Sequence, residues 1–234
     1  MLLVLLFTIL IIVALCIYYI KYIALPTPII EYSIKFSTNK SANNERKILM
    51  YLTKFKNKEQ QIFNKYNLDK TLQDFYFNNV KTPRELILGK DKDTQKVYFS
   101  ESNGIIYGLA KKNNKYEFRE YKPIKNIDKS LIDKFLGLEL SNQLYKIINN
   151  KFRKITTFEK YENKKITSYH FNFKFTQILS SYNELKQLLT LFNCKTNDFK
   201  SWFNKNKNLY ISWIGITKKN NEFEITIYYR SNPL

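Results

Sequence analysis

The first hydrophobic block is unbroken. Leu2 to Ile20 (LLVLLFTILIIVALCIYYI) holds no charged residue. At helical rise nineteen residues span roughly 29 Å, about one bilayer core. Tyr18, Tyr19 and Tyr22 follow as an interfacial belt beside Lys21. The block lacks a basic leader and an A-x-A site, which favours an uncleaved signal-anchor over a cleaved signal peptide. Lys21, Lys35 and Lys40 follow the span, and only the terminal amine precedes it, so the charge rule predicts a carboxyl-terminal domain facing the cytosol.

After this block the pattern becomes periodic. Pro26-Thr27-Pro28 ends the helix. Ile29–Phe36 alternates as a strand. Asn43–Asn67 reads as a basic amphipathic helix, with Ile48, Leu52, Phe55, Ile62 and Tyr66 at helical spacing. Leu72–Asn78, Arg84–Gly89, Gln95–Ser100, Gly104–Ala110 and Lys115–Lys122 read as strands. Helices are predicted near Ile127–Leu136 and Glu139–Asn149, broken at Gly137. A hairpin follows at Arg153–Tyr161 and Lys165–Phe175. Ser181 to Glu184 forms a capping box for the next helix, and Thr196 caps another. Leu209–Thr217 and Glu222–Arg230 form the last hairpin. The expected organisation is an anchor over 1–25, a juxtamembrane linker over 26–42 and a basic domain over 43–234. The fold class is α+β: an antiparallel sheet, curled or barrel-like, with helix pairs on one face and one transmembrane helix before it.

The chain repeats itself. Tyr107–Tyr121 (YGLAKKNNKYEFREY) matches Ile214–Tyr228 (IGITKKNNEFEITIY) at seven of fifteen positions, including Gly108/Gly215, Glu117/Glu224 and Tyr121/Tyr228. The shared K-K-N-N is a hairpin turn, since Asn tolerates positive φ.

Alternation sorts the strands into two faces. Val97, Phe99, Phe118, Tyr169, Phe171, Ile211, Trp213, Ile225 and Ile227 belong to a core under the helices. The opposite face collects Tyr98, Arg119, His170, Tyr210, Tyr228 and Arg230. In an open sheet this face is solvated. In a closed one it becomes a tyrosine-rich lumen whose Arg, Lys and His suit an anionic ligand. These six residues are the candidate ligand-binding set, conditional on closure.

Composition narrows the chemistry. Two Cys and one His leave no His/Cys zinc site. Five scattered Gly leave no phosphate-cradling loop, and neither cofactor nor metal is expected. Asp91-Lys-Asp93 has the D-x-D spacing of a metal-dependent glycosyltransferase, but its lysines oppose a cation and the residues suit a turn. His170 has no G-x-S-x-G elbow to serve and reads as structural. Cys194 follows an apolar stripe and reads as buried. No catalytic residue is assigned. The 39 Lys+Arg against 20 Asp+Glu, net +19, attract anionic lipid, acidic proteins and nucleic acid, though no RNP, KH or zinc-finger signature supports the last. The leading expectation is a single-pass, non-catalytic interaction or structural protein at a membrane held through residues 2–20.

Two resemblances extend this reading. Gly89-Lys-Asp91 leading to Lys96-Val-Tyr98-Phe99, with the hairpin pattern, resembles the strand pairs of ABBA-type aromatic prenyltransferases. The likeness covers about 90–230 in layout and a few residues in motif. It implies an antiparallel barrel ringed by helix pairs that holds a diphosphate in its lumen through Arg, Lys and Tyr. No catalytic residue carries over, the chain is short for a full ten-stranded barrel with helices, and an anchor departs from that family. Separately, composition and the single anchor resemble uncharacterised membrane proteins of large AT-rich DNA viruses, which implies no chemistry.

Overall fold

The computed structural model describes residues 2–19, 25–40, 42, 45–52, 58–81, 83–90, 94–124, 129–148, 157–162, 165–219 and 222–231. Helix α1 is Leu2–Tyr18. Strands β1 (Ile29–Ser37) and β2 (Arg46–Leu52) follow, then helices α2 (Glu59–Lys65) and α3 (Lys70–Asn79). Four consecutive strands come next: β3 (Pro83–Lys90), β4 (Thr94–Glu101), β5 (Ile106–Lys112) and β6 (Lys115–Ile124). Helices α4 (Lys129–Leu136) and α5 (Leu138–Ile148) lead to β7 (Thr157–Glu162) and β8 (Lys165–Gln177). Helices α6 (Tyr182–Leu191) and α7 (Phe199–Asn206) lead to β9 (Tyr210–Lys219) and β10 (Glu222–Arg230).

Every strand pairs antiparallel with its neighbours in sequence, and β1 pairs with both β2 and β10. The sheet therefore closes as a ten-stranded barrel, although the chain length argued against so many strands. Closure leaves no free sheet edge. It also makes one face a lumen and the other an outer wall.

The helices pack on the outer wall. One core joins Phe36, Tyr169, Phe171, Ile214, Ile225 and Ile227 to Leu188, Leu189 and Trp202 of α6 and α7. A second joins Leu86, Val97 and Phe99 to Ile62, Phe63, Leu72 and Tyr76 of α2 and α3. Each fully buried Phe or Leu stabilises the fold by about 2 kcal/mol. No helix pair separates β4 from β5, which join through residues 102–105. Helix α3 covers the wall there instead, its Phe75 ring 6.0 Å from both Phe99 and Phe118, while Phe77, Tyr116 and Phe118 stay partly exposed.

Several expectations are corrected. Residues 43–67 are not one helix: Arg46–Leu52 is β2 and Glu59–Lys65 is α2. The apolar run Ile48 to Leu52 fits either state, and β2 is needed between β1 and β3 to close the barrel. Leu72–Asn78 is helical, because Asp69 caps α3 by accepting the Thr71 amide at 3.0 Å and Leu72 and Tyr76 share its buried face. Ser181 does not cap α6; its hydroxyl donates to the Gln177 carbonyl at 3.2 Å. Asp198, not Thr196, occupies the N-cap of α7. Ile29–Ser37, placed in the linker 26–42, is a barrel strand. Among the described residues no helix is long and apolar enough to cross a membrane. Helix α1 covers 17 of the described residues, roughly 26 Å, and the end of the expected span of 2–20 lies outside the described residues. Its side chains from Leu5 to Tyr19 are exposed.

Candidate functional site

The lumen is a cavity of about 430 Å³. Tyr98, Arg119, His170, Tyr228 and Arg230 all line it. Tyr210 does not. It is the first residue of β9, pairs with Arg230 at the strand end, and its hydroxyl accepts from Gln177 Nε2 at 3.3 Å. Tyr210 keeps the expected parity and misses the cavity only because it stands at the strand end; a bulge further along β9 displaces a different residue. Tyr228 pairs with Trp213 and Tyr229 with Ile211, so Ser212 is an extra residue. It reverses the alternation: Trp213, expected in the outer core, lines the lumen, and Ile214 and Ile216 turn outward into the core.

Lining cations outnumber lining carboxylates eight to three among the described residues, and they are not evenly placed. Arg46 opens β2, Lys90 ends β3, Lys96 pairs with Gly89, and Lys219 ends β9. All four lie at the end where β3 meets β4 and β9 meets β10, although the Lys90 ammonium turns outward and donates to the Tyr66 carbonyl at 3.1 Å. Lys35 projects among them and bridges Glu224. Burial lowers the Lys35 pKa, Glu224 opposes that, and Arg46 and Lys219 add to the lowering by repulsion.

The waist of the lumen is aromatic. Tyr98 contacts Tyr121 (5.9 Å), Tyr121 contacts His170 (5.3 Å), and His170 contacts Tyr228 (5.8 Å). Arg119 Nη1 donates to the Tyr98 hydroxyl at 3.0 Å and its Nε donates to Glu117 at 3.1 Å. Burial raises the Tyr121 and Tyr228 pKa values, Tyr98 adds to this, and Arg119 opposes it; both stay phenols. The Ser168 hydroxyl lies 3.3 Å from His170 Nε2.

Two glycines make room for this waist. A Cβ on Gly108 would sit 1.8 Å from a ring carbon of Tyr98, its partner on β4. A Cβ on Gly215 would sit 2.7 Å from the His170 ring, its partner on β8. Each ring thus leans sideways over the neighbouring strand and lies along the wall. These are the matched glycines of the internal repeat.

The opposite end holds Glu31, Glu85 and Arg230. Glu31 is 7% exposed and accepts a hydrogen bond from Ser212 Oγ. Burial pushes its carboxyl up to about 7, while Ser212 and Arg230 pull it down and Glu85 pushes further up. Burial lowers Arg230, opposed by Glu31 and Glu85.

Elsewhere, Cys194 is buried as expected, its thiol pushed up to about 12 by desolvation and its Sγ 3.6 Å from the Phe36 carbonyl oxygen. Asp91 and Asp93 lie outside the described residues. Sequence reasoning missed Glu31, Ser33, Lys35, Arg46, Glu85 and Trp213. The signal for the first three was present: they alternate with Tyr32, Ile34 and Phe36. No protein-family model matches this chain, and no curated protein matches it.

Proposed function

We propose that the chain binds, inside its barrel, a ligand bearing a phosphate or diphosphate, as a carrier or an enzyme tethered to a membrane by α1. The observation carrying this reading is the barrel lumen with Lys35, Arg46, Lys96 and Lys219 at one end and Arg119 at its waist. Charge-assisted hydrogen bonds from such groups are strong where water is scarce. The prenyltransferase-like resemblance points to a prenyl diphosphate. Cations drawn into a lumen are poorly placed for a nucleic-acid duplex, which speaks against that partner. The apolar, exposed helix supports an anchor, and Lys21 and Lys40 beyond it favour a cytosolic barrel.

The exposed aromatic side chains of Phe77, Tyr116 and Phe118 favour a second reading, a non-catalytic interaction protein that docks a partner there. Trp213 lines the lumen and the other tryptophan, Trp202, lies in the core, so fluorescence reports lumen occupancy. Pyrophosphate and geranyl diphosphate are expected to change it saturably. Replacing both Lys96 and Arg119 with Gln should weaken them by about tenfold or more. No response to either ligand, in a chain shown to be folded, rejects lumen binding and leaves the docking reading.

A further inference from the structure

The lumen differs from end to end. Cations outnumber the single carboxylate, Glu224 on Lys35, at the end where the hairpins turn; an aromatic waist follows, and Glu31 and Glu85 stand beyond it with Arg230. An isoprenoid inserted phosphate-first would lay its hydrocarbon against those buried ionisable groups, an unfavourable contact that strips their hydration without replacement. A ligand with hydrogen-bond donors at its far end meets the same groups favourably. The waist between suits a flat ring. Tyr98 and His170 lean over Gly108 and Gly215, so they line the passage without crossing it, and the wall is built this way twice.

The distances agree. From Gly89, which pairs with the phosphate-end Lys96, to Glu85 on β3 is four residues, roughly 14 Å along the strand and about 10 Å along the axis of a tilted barrel. That is comparable to the span of a mononucleotide from phosphate to far base edge. The cavity, at about 430 Å³, is of small-molecule size. Ile48, Met50, Ile87 and Ile106 give it an apolar side for the sugar and base edges.

We propose that the ligand is a nucleoside phosphate whose base carries an exocyclic amine. Its phosphate sits among Lys35, Arg46, Lys96 and Lys219, its base lies along Tyr98 and His170, and its amine donates to Glu31 or Glu85. This deepens the phosphate-binding reading and rests on it.

The test uses the full chain in lipid nanodiscs at pH 8, with Trp213 fluorescence and calorimetry. Four ligands are compared: AMP, IMP, ribose 5-phosphate and geranyl diphosphate. IMP replaces the amine of AMP with a carbonyl, which faces a carboxylate unfavourably. AMP should bind about tenfold tighter than IMP, the scale of one specific hydrogen bond to a charged group, and tighter than ribose 5-phosphate. The Glu31→Gln/Glu85→Gln double variant should erase the AMP-over-IMP preference. If that variant does not fold, the wild-type ratio decides alone. Equal binding of AMP, IMP and ribose 5-phosphate, or tightest binding of geranyl diphosphate, overturns the nucleotide assignment and leaves phosphate binding standing. Binding of none of these, nor of pyrophosphate, overturns both.

Discussion

Glu31 carries a titration that stability measurements can see. Its carboxyl is raised from an ordinary 4.5 to about 7 chiefly by burial. The folded chain therefore holds this proton more tightly than the unfolded chain. The resulting stabilisation is fully present below the unfolded value and is lost as pH rises through about 7, roughly 3 kcal/mol in total. The melting temperature should fall between pH 5 and 8, and Glu31→Gln should flatten that slope. An unchanged slope in the variant means another group is responsible. At this scale the candidate site was half legible. Tyr98, Arg119, His170, Tyr228 and Arg230 were found by alternation, since a regular strand sends every second side chain to one face. Trp213 was misplaced because one inserted residue, Ser212, resets that count, whereas Tyr210, opposite Arg230, lies beyond the cavity because it stands at the strand end.

The β5–β6 hairpin shows how the repeat works as an element. Asn113 and Asn114 adopt φ of 47° and 59°, the left-handed pair that matches strand twist in a two-residue turn, with Lys112 opposite Lys115. Gly108 then admits the Tyr98 ring. Gly108→Ala should destabilise the protein by about 2 kcal/mol or more, because the new Cβ overlaps that ring. Adding Tyr98→Ala should recover part of the loss in thermal melts; a purely additive double variant would show that the ring is not what the glycine accommodates. Elements with strict alternation and turn residues, such as β4 to β6, were legible. Two were not. The run at β2 is apolar on both faces, since Ile48 and Met50 face the lumen while Leu49 and Tyr51 face outward, so no period distinguishes it. Helix α3 depended on the Asp69 cap, which strand-like residues after it obscured.

At the scale of the molecule, β1 closes the barrel by pairing Tyr32 with both Tyr229 and Lys47. A chain beginning at residue 26 should keep its circular dichroism and melt, yet stop co-floating with lipid vesicles. A chain beginning at residue 38 lacks β1 and should lose cooperative melting. If the chain from residue 26 still floats, the barrel itself binds lipid and α1 is not the sole anchor.

Local chemistry in the sequence was enough to determine the antiparallel hairpins, most helix positions, the repeat and the apolar amino-terminal block. Each of these depends on neighbours a few residues apart, through periodicity, turn residues and charge. Whether the polar face met water or enclosed a lumen was decided only by tertiary structure. That outcome rests on β1 meeting β10 some 190 residues away and on β2 taking the extended state, while an extra residue in β9 decided which of its side chains face inward. Those contacts bring Lys35, Arg119, Glu31 and Glu85 around one cavity, and no local pattern encodes that convergence.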